Sequence, residues 1–210
     1  MPSSPRCEEK SMGQAQHKLL SADDYFASPV ETRWELIEGV AWDMDAAPVL
    51  IHQRVSSRVE VSLSNCMEAL SKRGGDDGDG GSNTPPCVLL HAPVDVRLGD
   101  ITVVQPDVMI VCDPAKLANG KYVNGAPDMV MEVLSASTAK KDRRLKLRLY
   151  QSAGVAEYLI LDPYGKTVER YLLEAGQYLL PPETLGPEDE IELKVLPGVC
   201  IALTDWFLED

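Results

Sequence analysis

Two carboxylates, Asp107 and Glu132, each interrupt an otherwise apolar run, and their chemistry is that of a metal site. In "PDMVMEVLS" the alternation of a strand places Glu132 on one face with Val130 and Leu134, where an unpaired carboxylate costs several kcal/mol. Asp107 follows Pro106, whose missing backbone donor favours a strand end, an edge or a bulge. Because neighbouring strands lie about 5 Å apart, the two carboxylates can converge on one Mg²⁺ or Mn²⁺ ion.

A cationic helix is predicted to follow Glu132, from about residue 138 to residue 153. At about 100° per residue, its inward stripe consists of Asp142, Leu145, Lys146, Leu149 and Ala153. The other basic residues point elsewhere: Lys140, Lys141, Arg143, Arg144 and Arg148. A helix that runs back along the preceding strand places Lys146 at the same height as Glu132, so we expect the two side chains to meet.

These groups allow two interpretations. In the first, Asp107, Glu132 and Lys146 bind a metal ion and stabilise the negative charge of a reacting phosphate. In the second, Glu132 and Lys146 form a buried ion pair, Asp142 lies beside Lys146 at i,i+4, and Asp107 is a turn residue. Residue types and spacing leave both interpretations open.

Periodicity and capping residues predict the helices that position these side chains. Apolar residues at spacings of three and four predict a long helix from about residue 48 to residue 72. Ser21 is placed to cap a short helix before it. The cationic helix can be capped by Ser135 or Ser137, and Gly154 is placed to end it.

The predicted strands complete a mixed sheet. "RWELIEGVAWDM" predicts a hairpin that turns at Glu38 and Gly39. Further strands are predicted within residues 87–98, 101–112, 126–135, 156–162, 166–173, 176–180 and 191–197, and a terminal helical turn within 203–209. The fold class is therefore α/β (α+β), a mixed β-sheet flanked by helices.

Length and composition favour one domain. Among the 210 residues, positions 1–18 are polar and patternless and are predicted to form a disordered tail, which leaves 19–210 as a single domain. The Gly/Asp-rich segment 74–83 lacks the glutamate of a calcium-binding loop and is predicted to be solvated and mobile. The sequence has no apolar run of the roughly 18 to 20 residues that span a membrane and no signal peptide, so we expect a cytoplasmic protein.

Cysteine spacing, overall charge and missing motifs limit the functions that are expected for this protein. The cysteines form no CxxC pair and are predicted to be reduced thiols: Cys7, Cys66, Cys87, Cys112 and Cys200. A pI near 4.6 argues against loose electrostatic binding to nucleic acid, although it leaves room for a local basic patch. An acyl or glycosyl hydrolase is disfavoured because the chain lacks GxSxG and has only three histidines.

The motifs resemble a known family. "QPDVMIV", "PDMVMEVLSAST", "KLRLYQSAGV" and "EYLILDP" resemble the Uma-two family of the PD-(D/E)XK restriction-endonuclease-like superfamily. "WELIEGVAWDM", "HQRV" and "HAPVDVRLGD" are similar to the same family, so the resemblance covers roughly residues 20 to 207. It implies a restriction-endonuclease-like fold.

The resemblance also implies roles for individual residues. Asp107 matches the first metal-binding acid, Glu132 the second, and Val133 the position whose carbonyl is a further ligand. Leu134 stands where the superfamily has lysine, which implies that the lysine has moved to the next helix, as Lys146. Two more residues, Glu35 and His52, match recurrent positions of the family and are candidate site residues. The alternatives are that Glu35 is a surface residue of a hairpin strand and that His52 is a hydrogen-bonding residue on a helix face.

The resulting functional expectation is a magnesium-dependent (or manganese-dependent) endonuclease that hydrolyses DNA phosphodiester bonds with metal-activated water. The alternative is a catalytically inactive nuclease fold that serves as a binding or assembly module. DNA is the expected partner, no membrane is involved, and both interpretations allow a homodimer.

Overall fold

The computed structural model describes residues 19–29, 33–44, 48–73, 87–136, 138–198 and 200–207. The predicted tail 1–18 and the predicted loop 74–83 lie outside these ranges, as do Cys7 and Ser137. The division into tail, domain and loop therefore stays a prediction. No helix within the described ranges is both long enough and apolar enough to pass through a bilayer.

Five α-helices and fourteen strands make up the described structure. The helices are α1 (Ala22–Ala27), α2 (Leu50–Arg73), α3 (Ala139–Lys141), α4 (Leu147–Ala153) and α5 (Thr204–Phe207), with a 3₁₀ turn at Pro114–Leu117 and a π-helical turn at Asp142–Lys146. The strands are β1 (Trp34–Ile37), β2 (Val40–Asp43), β3 (Val88–His91), β4 (Val96–Gly99), β5 (Thr102–Val104), β6 (Val108–Val111), β7 (Val123–Asn124), β8 (Met129–Val133), β9 (Glu157–Asp162), β10 (Thr167–Glu174), β11 (Gln177–Tyr178), β12 (Glu183–Leu185), β13 (Glu190–Glu192) and β14 (Cys200–Ala202).

The strands form two larger sheets and a short ribbon. One sheet has the order β11-β10-β9-β8-β6-β3, with β12 paired to β10, and is mixed because β8 and β9 run parallel. The second sheet has the order β2-β1-β5-β4-β7, and β13 pairs with β14 alone. The chain therefore has the mixed α+β architecture that was predicted, although with two larger sheets rather than one.

Two predicted strands, within 87–98 and 101–112, are wrong as single strands. Each is divided between the two sheets, the first into β3 and β4 and the second into β5 and β6. Pro93 lies at the first crossing and Pro106 at the second. A proline cannot donate to a sheet ladder, so each marks the place where the chain leaves one sheet for the other.

Apolar clusters lie on both faces of the first sheet. On one face, Val55, Val59 and Leu63 of α2 pack against strand residues that include Met129 and Met131. The opposite face carries Val130 and Leu134, which pack with Tyr150 of α4 and with the second sheet. The alternation predicted for β8 and the apolar face predicted for the long helix are therefore both confirmed.

The local predictions at the start of α1, at the hairpin turn and at the end of α4 are also confirmed. Ser21 forms a capping box with Asp24 at the start of α1. Glu38 and Gly39 turn the hairpin with positive φ angles of 52° and 80°, as a tight two-residue hairpin turn requires. Gly154 ends α4 in the left-handed conformation at φ 86°.

The expectation of reduced thiols is wrong for two cysteines. Cys87 and Cys112 form a disulfide with an S–S distance of 2.02 Å. The pairing of β3 with β6 brings the two cysteines together. Val88 lies opposite Val111, and the next pair in the same register is Cys87 with Cys112. Cys66 and Cys200 are free.

Candidate active site

Asp107 and Glu132 lie on neighbouring segments of the first sheet. Asp107 immediately precedes β6 and Glu132 is part of β8. Val108 pairs with Met131, so the same antiparallel register places Asp107 opposite Glu132. Directly opposed residues project to the same face, so this register is compatible with one site shared by both carboxylates.

Lys146 lies at the centre of the buried charges. Its Nζ donates to Glu132 Oε1 at 2.7 Å and lies 3.2 Å from Glu35 Oε1. It is also 3.8 Å from Asp142 Oδ1, four residues earlier in the chain. All four side chains are buried. The inward direction predicted for Lys146 is therefore confirmed.

Glu132 is held through one carboxylate oxygen. Oε1 accepts from Lys146 Nζ and from the Tyr150 hydroxyl, both at 2.7 Å. Within the described part of the chain, both hydrogen bonds of this side chain end on Oε1 and leave Oε2 without one. Tyr150 is fully buried, so its hydroxyl is fixed in this contact.

Glu35 joins the second sheet to the site. It lies on β1, and its Oε1 accepts from the Gln105 backbone N–H at 3.0 Å. Oε2 accepts from Lys141 Nζ, so two lysines and a backbone donor surround this buried carboxylate. The alternative that Glu35 is a surface residue of a hairpin strand is therefore wrong.

Asp107 is fixed from two other elements. Its Oδ2 accepts from the Val133 backbone N–H at 2.8 Å and lies 3.2 Å from His52 Nε2. His52 belongs to the first turn of α2, which begins at Leu50. These contacts bring His52, Asp107 and Val133 together, and they give Asp107 more partners than a simple turn residue needs.

The π-helical turn Asp142–Lys146 explains an error in the predicted helix faces. A π turn has i→i+5 hydrogen bonds and more residues per turn than an α-helix, so side chains around it depart from the 100° spacing. Asp142, Lys146 and Tyr150 share the buried face. Lys141, predicted to point elsewhere, instead contacts Glu35.

Burial and an excess of carboxylates set the protonation of the cluster. Burial raises the pKa of Glu132 to about 8 against the attraction of Lys146, and Asp142, Asp107 and Glu35 add to the rise. Burial also raises the pKa of Asp142. For Glu35 burial acts upward, but Lys146 and Lys141 bring its pKa below the usual range.

Burial acts in the opposite sense on the two basic partners, but neighbouring carboxylates raise the pKa of both. Burial opposes the charge on Lys146, but Glu132, Glu35 and Asp142 raise its pKa well above the usual value. For His52, burial acts downward, but the hydrogen bond and charge of Asp107 and the backbone of Val133 raise its pKa. Lys146 is therefore charged at neutral pH.

The donor set fits a small divalent cation. Asp107 and Glu132 supply the carboxylate oxygens that Mg²⁺ prefers, and Mg²⁺ commonly uses one or two protein carboxylates with water and phosphate. Within the described residues, no three His, Cys, Asp or Glu side chains form a group able to hold a metal ion. Among the described residues Asp142 Oδ1 has no hydrogen-bond partner, and the ammonium group of Lys146 lies 3.8 Å from it.

Three residues of this arrangement escaped the sequence reasoning as site residues: Gln105, Lys141 and Tyr150. Lys141 was hidden by the change of helical period. Tyr150 carries a detectable signal, because it continues the spacing of four that runs from Asp142 through Lys146. Gln105 contributes its backbone, for which residue type carries no signal.

Comparison with known proteins identifies a sequence relative and a structural relative of this chain. A curated relative, an uncharacterized protein (sll1609) of Synechocystis sp., is 31% identical over 93 residues, which are 43% of this chain and 52% of that protein. The matched region thus spans about half of the relative's length. A crystal structure of "a putative nuclease belonging to DUF820" from Anabaena variabilis matches with a TM-score of 0.67 at 15% identity, over 90% of this chain and 97% of that one.

At that identity the structural match establishes the fold, and a family model establishes the relationship. The Uma2 model, described as "Putative restriction endonuclease", matches residues 22–204. This range includes every residue of the buried cluster as well as Asp107 and His52. The chain belongs to the Uma2 family and has its restriction-endonuclease-like fold.

Proposed function

We propose that the protein is a Mg²⁺- or Mn²⁺-dependent endonuclease that hydrolyses phosphodiester bonds of DNA. The observation that carries this proposal is the register of β6 and β8, which sets Asp107 opposite Glu132 with buried Lys146 on Glu132. Membership of a family whose model is described as "Putative restriction endonuclease" supports the same reaction class.

In this proposal Asp107, Glu132 and the Val133 carbonyl hold the metal ion. The bound ion supplies Lewis-acid polarisation of the scissile phosphate and lowers the pKa of water. His52 and the Val133 N–H orient Asp107, because both contact its Oδ2. Tyr150 and Lys146 orient Glu132 by occupying Oε1, so Oε2 is the oxygen that would be available to hold the ion.

Lys146 provides the positive charge that stabilises the reacting phosphate. Its ammonium group is held by Glu132, Glu35 and Asp142, so it is fixed in place before a substrate arrives. Such a preorganised charge needs no reorganisation during the reaction. Glu35 serves as its counter-ion and also anchors Lys141.

The second candidate is a nuclease fold that binds or assembles without cleaving. The direct Lys146–Glu132 contact of 2.7 Å favours it, because a structural ion pair has the same geometry. The two candidates differ in whether Asp107 matters for turnover. The test is therefore a comparison of cleavage by wild-type protein and an Asp107 variant.

Supercoiled plasmid and single-stranded DNA should be incubated with the protein in Mg²⁺, Mn²⁺ or EDTA. We expect cleavage in either metal, none in EDTA, and none with Asp107→Ala. Asp205→Ala removes an exposed aspartate of α5 and is the matched control that should cut normally. Folded wild-type protein that leaves both DNAs intact in both metals would contradict the endonuclease proposal.

A further inference from the structure

An exposed tryptophan stands beside the buried cluster. Trp42 lies on β2, directly opposite Glu35 of β1, so the two side chains are neighbours on one face of the second sheet. Glu35 is 1% exposed, whereas Trp42 is 41% exposed. The solvent-exposed ring of Trp42 is therefore the cross-strand neighbour of Glu35, the carboxylate that contacts Lys146.

The Lys141 side chain holds the indole ring of Trp42 in place. Lys141 Nζ lies 5.5 Å from the ring centroid and also donates to Glu35 Oε2. A lysine in this position attracts the face of the ring and links it to the carboxylate cluster. The ring is thus both accessible and positioned, which is what a stacking surface requires.

Cations without ion pairs extend from the same helical segment. Lys140, Arg144 and Arg148 recur every four residues, are exposed, and make no ion pair with any described residue. Arg143 differs, because it pairs with Glu169 and Asp162. Since Lys140 adjoins Lys141 in the chain, this stripe begins next to the residue that covers the Trp42 ring.

The net charge of the protein and the exposed ring of Trp42 together favour binding of single-stranded nucleic acid over binding of a duplex. With a formal net charge of −13, the protein can neutralise few phosphates, so phosphate contacts alone give weak binding. Base stacking on an aromatic side chain adds affinity, but it needs a base whose face is free. Paired bases inside a duplex keep their faces stacked on one another.

We propose that Trp42 is a stacking platform for an unpaired base beside the cleavage site, so that single-stranded nucleic acid is the preferred substrate. Lys140, Arg144 and Arg148 contact the phosphates of the same strand. This inference rests on the proposed function for its link to cleavage, whereas the binding itself can be measured without turnover.

The binding test uses tryptophan fluorescence in EDTA with a 20-nucleotide oligonucleotide and the 20-base-pair duplex of the same sequence. We expect quenching and tighter binding with the single strand, and no quenching with Trp42→Phe, since the other tryptophans are buried or half-buried. Trp42→Ala should weaken single-strand binding by about tenfold, the usual scale for loss of one stacked base.

Val40→Ala is the matched control. Val40 lies on the same face of the same edge strand and is 50% exposed, but it has no ring to stack on a base. This variant should bind the oligonucleotide like wild type. Trp42→Phe should bind more tightly than Trp42→Ala, because a smaller aromatic ring retains part of the stacking.

Two results would overturn the inference. The first is duplex binding that equals or exceeds single-strand binding, with no change in Trp42→Ala. The second is a solution dimer that Trp42→Ala dissociates without changing oligonucleotide binding, which would assign the β2 edge to a second copy of the chain. Quenched binding without cleavage in Mg²⁺ or Mn²⁺ would instead support the platform and contradict only the endonuclease proposal.

Discussion

At the scale of single residues, Lys146 and Glu132 decide between a reactive site and a structural ion pair. Both are buried, and each is the other's partner at 2.7 Å. Their contact alone is compatible with either role. What separates the roles is how the protein behaves when one charge is removed.

Lys146→Met should remain folded while cleavage falls by about 10²- to 10³-fold, the loss typical of one preorganised electrostatic group. Near neutral pH the fold tolerates this change, because Glu132 has a pKa of about 8 and keeps its proton. Single-turnover cleavage and thermal melts measure the two effects. Lys72→Met, on an exposed site of α2, is the control.

A structural ion pair would respond differently. In such a pair Glu132 is ionised, so removing Lys146 would leave an uncompensated buried charge, and the free energy of unfolding would fall by about 3 to 5 kcal/mol. A folded Lys146→Met protein that cuts at the wild-type rate would remove Lys146 from the mechanism.

Glu132 should make the metal-free protein less stable as pH rises. The folded protein holds this proton up to a pKa of about 8, whereas the ordinary value for the unfolded chain is 4.5. The unfolded state therefore binds fewer protons between these values, so the free energy of unfolding falls by about 1.4 kcal/mol per pH unit. Below pH 4.5 this contribution is fully present, and above pH 8 it is lost.

Denaturant unfolding between pH 5 and 9, in EDTA, measures this slope. Glu132→Gln keeps the shape of the protonated acid and cannot titrate, so its stability should depend less on pH than that of wild type over this window. Glu183→Gln, on exposed β12, is the matched control and should retain the wild-type slope. Equal slopes for wild type and Glu132→Gln would refute the assignment.

At the scale of elements, the helical segment from Ala139 to Ala153 carries two different charge functions. Its buried face holds Asp142 and Lys146, and its outer face presents Lys140, Arg144 and Arg148. The π-helical turn Asp142–Lys146 contributes residues to both faces. The charges of the buried face and those of the outer face can therefore be changed independently on one element.

Arg144→Ala with Arg148→Ala should weaken DNA binding and reduce its salt dependence without abolishing turnover. Each lost phosphate contact lowers the log–log salt slope by about 0.7 for a single strand or 0.9 for a duplex. Binding at several salt concentrations measures the slope. Lys166→Ala, on the turn between β9 and β10, is the control, and an unchanged slope in the double variant would contradict a phosphate-binding role.

At the scale of the whole molecule, α5 closes the core that supports the site. Trp206 is fully buried and belongs to the same apolar cluster as Val59 and Leu63 of α2. That cluster lies behind β6 and β8, the strands that carry the candidate carboxylates. The packing of α5 thus supports the part of the candidate site that lies on β6 and β8.

Trp206→Ala should lower the free energy of unfolding by about 3 to 5 kcal/mol, because it leaves a large cavity in the core. Trp206→Phe should cost less, since it refills part of the volume and removes a buried indole N–H that has no hydrogen-bond partner among the described residues. Denaturant melts compare both with Trp42→Ala, which removes a half-exposed ring. Similar losses for Trp206→Ala and Trp42→Ala would show that α5 does not close the core.

Local sequence patterns determined much of the fold and part of the site. The alternation in residues 129–134 predicted which side chains face each cluster, because a strand has a strict period of two. The spacing of four between Asp142 and Lys146 predicted an inward lysine. Glu38 with Gly39 and the glycine at position 154 predicted a turn and a helix end through their backbone conformations.

Only the tertiary structure decided which distant elements meet. The contact of Lys141 with Glu35 depends on a π turn that no apolar period reveals. The division of residues 87–112 between two sheets, and with it the disulfide of Cys87 with Cys112, depends on strand pairing. Periodicity reports which face of an element is buried but not which partner covers it, so these contacts required the packed molecule.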